Sequence, residues 1–212
     1  MDDRLFPSGT PTTKEEVRRI ADDVRKVFGR TEDILNVELL VEKDLGMNII
    51  PHKGLLEEVG AEAILLWNLT DIIIDEAGFS ASRRRRFRFS LAHEVGHAIL
   101  HRSLAHLHRP KSRKEYVLMT QNMNSMYHAL FEWQANEFAG RILVPKHRLE
   151  AHLEAQRVFV TAAAQMVGGS IPQLSEILSM GLSDIFDVSQ EVIGIRLREE
   201  GVLLPFVHSG IS

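Results

Sequence analysis

His93 and His97 stand four residues apart, with Glu94 between them, in the run Leu91-Ala92-His93-Glu94-Val95-Gly96-His97-Ala98-Ile99-Leu100. This spacing constrains the chain more than any other feature. On a helix, residues four apart share a face about one turn apart, so both imidazoles can reach a single metal ion. H-E-x-x-H in a helical context is a zinc-hydrolase pattern. Glu94, directly after the first candidate ligand, is placed to reach water rather than the ion, where a carboxylate can take the proton as water attacks a carbonyl. The plainer alternative is a solvated helix face that carries two histidines and a glutamate by chance.

A catalytic zinc takes three protein ligands and keeps one position open. The third is sought in a second helical segment, from about Met126 to Leu143 and ended by Pro145, which contains Phe131-Glu132-Trp133-Gln134-Ala135-Asn136-Glu137-Phe138-Ala139. Glu132 and Asn136 share a face, while Ala135, Phe138, Ala139 and Leu143 lie toward another, so the helix can pack and still aim Glu132 inward. Asn136 is suited to accept the second N–H of a ligating imidazole. His101 competes for the third place. Helical rise separates it from His93 by roughly 12 Å, which suits an orienting or structural role better than ligation. The metzincin pattern fails, because it needs Gly at 100 and His at 103 where this chain has Leu100 and Ser103. His106 and His108, in the polar stretch that follows, are given no role.

With no cysteine, disulfides, thiolate zinc sites and cysteine nucleophiles are impossible. A chain that is 44% apolar and 25% charged suits one globular domain or one domain with a small appendage, and its net charge of −4 argues against a polyanion binder as the whole chain while leaving room for a local basic patch. No apolar run approaches the ~20 residues of a membrane span, and the start lacks an export signal, so a cytoplasmic location is expected. Residues 1–12 read as a loose leader. Thr12 or Thr13 then caps a helix in which Val17, Ile20, Ala21, Val24 and Val27 recur at helical spacing. A short helical stretch around Val37 to Asp44 is closed by Gly46, and Met47 to Ile50 reads as a strand with Pro51 behind it. The apolar runs Ala63 to Trp67 and Ile72 to Ile74 form a predicted hairpin. The expected fold is α+β: a small sheet, the H-E-x-x-H helix and a second ligand helix over 13–146, then a helical extension over 147–212.

Together, Phe89 to His101, Glu132 to Ala139, Leu143-Val144-Pro145 and the preceding Ile72-Ile73-Ile74-Asp75 resemble the ImmA/IrrE metallopeptidases, over about residues 14 to 146. The resemblance implies His93, His97 and Glu132 as ligands, Glu94 as catalytic base and Asn136 as a residue that orients a ligand. It implies a zinc ion, with manganese or another divalent ion as alternatives. The implied activity is endopeptidase cleavage of a helix-turn-helix transcriptional repressor in a stress or mobile-element response. A metal-binding regulator that sequesters the repressor without cutting it is the rival reading.

The extension, Leu182 to Val192 followed by Ile195 and Leu197, looks like a helix-turn-helix, with Asp187 at the turn and Ser189 as cap. Gln190, Glu191 and Val192 make a poor recognition helix, so packing or substrate docking is expected there rather than DNA binding. Substrate backbone is expected to pair along an edge strand at Ile72, Ile73 and Ile74. Tyr116, Tyr127 and His128 are candidates for stabilising the transition state. The run Arg83 to Arg86 is either a surface for an anionic partner or a solvated first helical turn.

Overall fold

The computed structural model describes residues 13–103 and 125–208, and the chain divides into two units. One comprises residues up to Thr31 together with Asn36–Ile142; the other comprises Glu32–Leu35 with Leu143–Ser212. The leader, Tyr116, His106, His108 and the stretch Arg109 to Asn124 lie outside the described residues.

In the first unit, Thr13 Oγ1 accepts the Glu16 N–H and the Glu16 carboxylate accepts the Thr13 N–H, a closed capping box that starts helix α1 (Lys14–Val27). Val17, Ile20, Ala21 and Val24 line its buried face, as the spacing predicts. A short helix α2 (Val37–Leu39), capped by Asn36, runs on into a π turn (Leu40–Asp44) before strand β1 (Asn48–His52). Helix α3 (Leu55–Val59), β2 (Ala63–Leu65) and β3 (Asp71–Asp75) follow. At the end of β3, one carboxylate serves two elements: Asp75 accepts the N–H of Leu56 at 2.9 Å and of Ala77 at 2.8 Å.

The hairpin of β2 and β3 is antiparallel, and β1 joins β3 in parallel, so the strand order is β1-β3-β2. This corrects the expected substrate edge. Ile72, Ile73 and Ile74 lie on the central strand, with both sides already paired, and Ile72 and Ile74 are buried. The consecutive isoleucines suit a strand flanked on both sides, whereas Pro51, which lacks an N–H, sits on edge strand β1. The other edge is β2.

Helix α4 (Arg84–Leu100) carries the H-E-x-x-H run. It buries residues around most of its circumference, including Phe87, Leu91, Ala92, Val95, Ile99 and Leu100, rather than the single stripe expected of an amphipathic helix. Helix α5 (Ser125–Leu143) packs Ala135, Phe138, Ala139 and Ile142 inward. It is fastened to α1 by polar contacts one helical turn apart: Arg18 to Glu137 at 2.5 Å, Arg141 to both oxygens of Asp22 at 2.6 and 2.8 Å, and Arg25 to the Ile142 carbonyl at 2.8 Å.

The second unit is helical: α6 (Lys146–Ala155), α7 (Arg157–Met166), α8 (Ile171–Phe186), α9 (Gln190–Glu199) and α10 (Leu204–His208). Asp33 accepts from Arg148 at 2.6 Å and from His152 at 3.0 Å, and chiefly the Arg148 contact holds its carboxyl below the usual range. Asp187 takes the left-handed conformation at the tight turn, and Ser189 caps α9 through the Val192 N–H. The side chains of Gln190, Glu191, Ile195, Arg198 and Glu199 are exposed on α9. Among the described residues no helix is long and apolar enough to cross a membrane.

Candidate metal centre

Gly96 explains how two helices distant in sequence deliver one site. A Cβ built on it would lie 3.2 Å from both the Ala135 Cα and the Phe138 ring, and 3.3 Å from the Ala135 carbonyl oxygen. Glycine on α4 facing alanine on α5 lets the backbones approach closely. Glu132, about one turn before Ala135, then reaches His93 and His97, and Asn136, directly after Ala135, reaches His93.

His93 Nε2 and His97 Nε2 are 3.0 Å apart, and Glu132 places Oε2 3.2 Å from the first and Oε1 3.3 Å from the second. Ligands bound at about 2.0–2.2 Å in tetrahedral geometry stand roughly 3.3 Å from one another. Among the described residues this is the group of three whose atoms converge closely enough to hold a metal ion. The donor chemistry agrees. Asn136 Oδ1 accepts from His93 Nδ1 at 3.0 Å, which leaves a lone pair on His93 Nε2 facing the carboxylate and the second imidazole. Such a cluster of acceptors needs a proton or a cation at its centre, so the residues fit a divalent ion.

Electrostatics follow the same pattern. The close contacts with the His93 and then the His97 imidazole hold the Glu132 carboxyl well below the usual range. Burial works against charge on His93, yet its contact with Glu132 and the charges of Glu94 and Glu132 carry its pKa above the ordinary imidazole value. Burial pushes the Glu94 carboxyl up. Glu94 Oε2 accepts the backbone N–H of Leu65 on β2 at 2.8 Å, so the edge strand anchors the candidate base.

His101 does not enter the ligand cluster; its Nδ1 lies 3.0 Å from His97 Nδ1, on the side away from Glu132, and burial pushes its pKa down to about 4. Of the candidates for transition-state stabilisation, His128 lies 3.9 Å from Glu132, while Tyr127 is exposed and stacks on Phe131. Arg86 pairs with Glu62, which also accepts from Ser90, so part of the arginine run ties α4 to the segment before β2. Sequence reasoning missed Leu65 and Gln134. Leu65 acts through its backbone, which has no side-chain signature; Gln134 left one signal, an amide among the buried positions of α5.

Two imidazoles and a carboxylate around one point, with a second carboxylate alongside, form the donor set of a metal-dependent hydrolase. Residues 80–198 match the peptidase family described as the IrrE N-terminal-like domain, and the chain belongs to this family. Membership supports a metallopeptidase-type function acting on protein, with a divalent metal. No curated protein sequence matches the chain.

Proposed function

We propose that the chain is a zinc-dependent endopeptidase in which His93, His97 and Glu132 hold the ion and Glu94 is the base. The observation that carries this reading is the convergence of three acceptor atoms beside a separate, anchored carboxylate. A zinc ion held by these three residues would supply Lewis acidity for polarising a carbonyl and acidifying water. Glu94 takes the proton of the attacking water and returns it to the leaving amine. The Leu65 N–H steadies Oε2, leaving Oε1 for the proton.

Substrate backbone is reassigned from Ile72–Ile74 to β2. The ladder bonds Asp75 N–H to Glu62 and Leu66 N–H to Asp71 turn Glu62, Ile64 and Leu66 toward β3, so Ala63 directs its N–H and carbonyl, and Leu65 its carbonyl, off the sheet edge, the Leu65 N–H being taken by Glu94. An extended peptide laid there is held with little demand on its side chains. His128 is the described residue best placed to meet charge developing near Glu132. Resemblance to the ImmA/IrrE metallopeptidases supports a helix-turn-helix repressor as substrate, a stress or mobile-element setting and action in the cytoplasm.

Glu94→Gln tests the reading. With repressors encoded beside this gene as substrates and mass spectrometry as readout, the variant keeps metal and partner binding while turnover falls by ~100-fold to 10,000-fold. Cleavage near the wild-type rate removes Glu94 as base. Wild type that binds a repressor tightly but never cuts it makes the protein a sequestering regulator.

A further inference from the structure

Hydrogen-bond polarity along one line of side chains decides which nitrogen of His97 is bare. Gln134, fully buried on α5, presents Oε1 to His101 Nε2 at 2.8 Å. A carbonyl oxygen only accepts, so His101 Nε2 carries a proton. The other nitrogen, Nδ1, meets His97 Nδ1 at 3.0 Å, a contact that accommodates one proton. Gln134 holds the ring proton of His101 at Nε2, so His101 Nδ1 is the lone-pair side of that contact and His97 Nδ1 is the donor. His97 Nε2 is then unprotonated where it faces His93 and Glu132.

We propose that Gln134 and His101 form a positioning relay that presets the tautomer and orientation of His97 before any ion arrives. The proposal rests on the metal-site reading above and adds two residues that do not reach the ion. Phe131 supports the relay from the side, its ring centroid 4.6 Å from that of His101. The six residues from Phe131 to Asn136 thus supply a ligand, Glu132, and an acceptor for each histidine: Asn136 directly for His93, Gln134 through His101 for His97. The reverse amide orientation at Gln134 would offer N–H to His101, invert both imidazoles and leave a proton on His97 Nε2, where it blocks ligation.

The test uses the 15N-labelled full chain, stripped of metal, with long-range 1H–15N correlation to tell Nδ1–H from Nε2–H imidazole. His97 is expected as the Nδ1–H tautomer in wild type, and as a mixture in Gln134→Met and His101→Phe. Zinc affinity, read by competition with a chelating dye, should fall 10–100-fold in both variants, and Gln134→Glu, which keeps an acceptor, should recover most of it. Wild-type His97 in the Nε2–H form overturns the relay whether or not zinc binds, and needs no variant to fold. Unchanged affinity in both folded variants overturns it too. A wild type that shows Nδ1–H on His97 yet binds no zinc supports the relay and refutes the metal-site reading instead.

Discussion

Gly96 and Ala135 meet at the crossing of the two helices that carry the candidate site, with a hypothetical Gly96 Cβ only 3.2 Å from the Ala135 Cα. Helix propensity alone makes alanine better than glycine by ~1 kcal/mol, whereas overpacking against backbone costs ~1–3 kcal/mol. Gly96→Ala is therefore expected to lower the melting temperature and to weaken metal binding by moving α5. Gly181, exposed on α8 with nothing within 4 Å of its Cβ position, is the control. There the propensity term stands alone, and Gly181→Ala should raise the melting temperature. If both substitutions stabilise, the crossing is looser than described.

His93→Ala, His97→Ala and Glu132→Ala should each deplete bound metal from about one ion per chain, measured by elemental analysis. Full occupancy in Glu132→Ala would remove it as third ligand. Because an ion that binds only the folded chain adds to stability, a strong chelator should lower the melting temperature of wild type and leave the three variants nearly unmoved.

Asp75 gives a pH dependence whose sign can be worked out. Backbone N–H donors, that of Leu56 first, hold its carboxyl below the ordinary carboxylate range, so the folded state binds fewer protons than the unfolded state in acid. Its contribution is complete above the unfolded value near ~3.9 and is lost as pH falls through the folded one. In Asp75→Asn one N–H loses its acceptor and the titration is gone. Urea midpoints measured from about pH 5 down to about pH 3 should fall less steeply for the variant than for wild type. Parallel curves would mean that Asp75 contributes nothing to acid sensitivity.

Proline at position 65 separates the anchoring of Glu94 from the integrity of the sheet. The Leu65 N–H points away from β3 and toward Glu94, so Leu65→Pro spares the ladder and removes the anchor. Peptide cleavage should drop about tenfold or more with metal content retained, whereas Leu65→Ala, which keeps the N–H, should be milder. Equal losses in the two variants would assign the effect to the missing side chain.

Much of this was legible in sequence because local rules dominate. Thr13 with Glu16, the turn at Asp187, Ser189 before α9 and the four-residue spacings of His93/His97 and Glu132/Asn136 all act within one helical turn. Strand order is not local. Ile72 to Ile74 read equally well as an edge or a centre until β1, which precedes the hairpin, joins β3 in parallel. His101 illustrates the other limit: helical rise rules it out as a ligand, but only the packing of Gln134 against it shows that it faces the back of His97.

The contacts of α1 with α5 separate heredity from mechanics. The family match begins at residue 80, whereas Arg18, Asp22 and Arg25, which grip the ligand helix along its second half, all come before it, as does the Leu65 N–H that steadies Glu94. A fragment trimmed to 80–198 would keep every candidate ligand and still lack the brace that stops α5 from rolling. The candidate ligands and base all fall in the matched stretch, whereas contacts that fasten α5 and Glu94 come from the amino-terminal third of the chain.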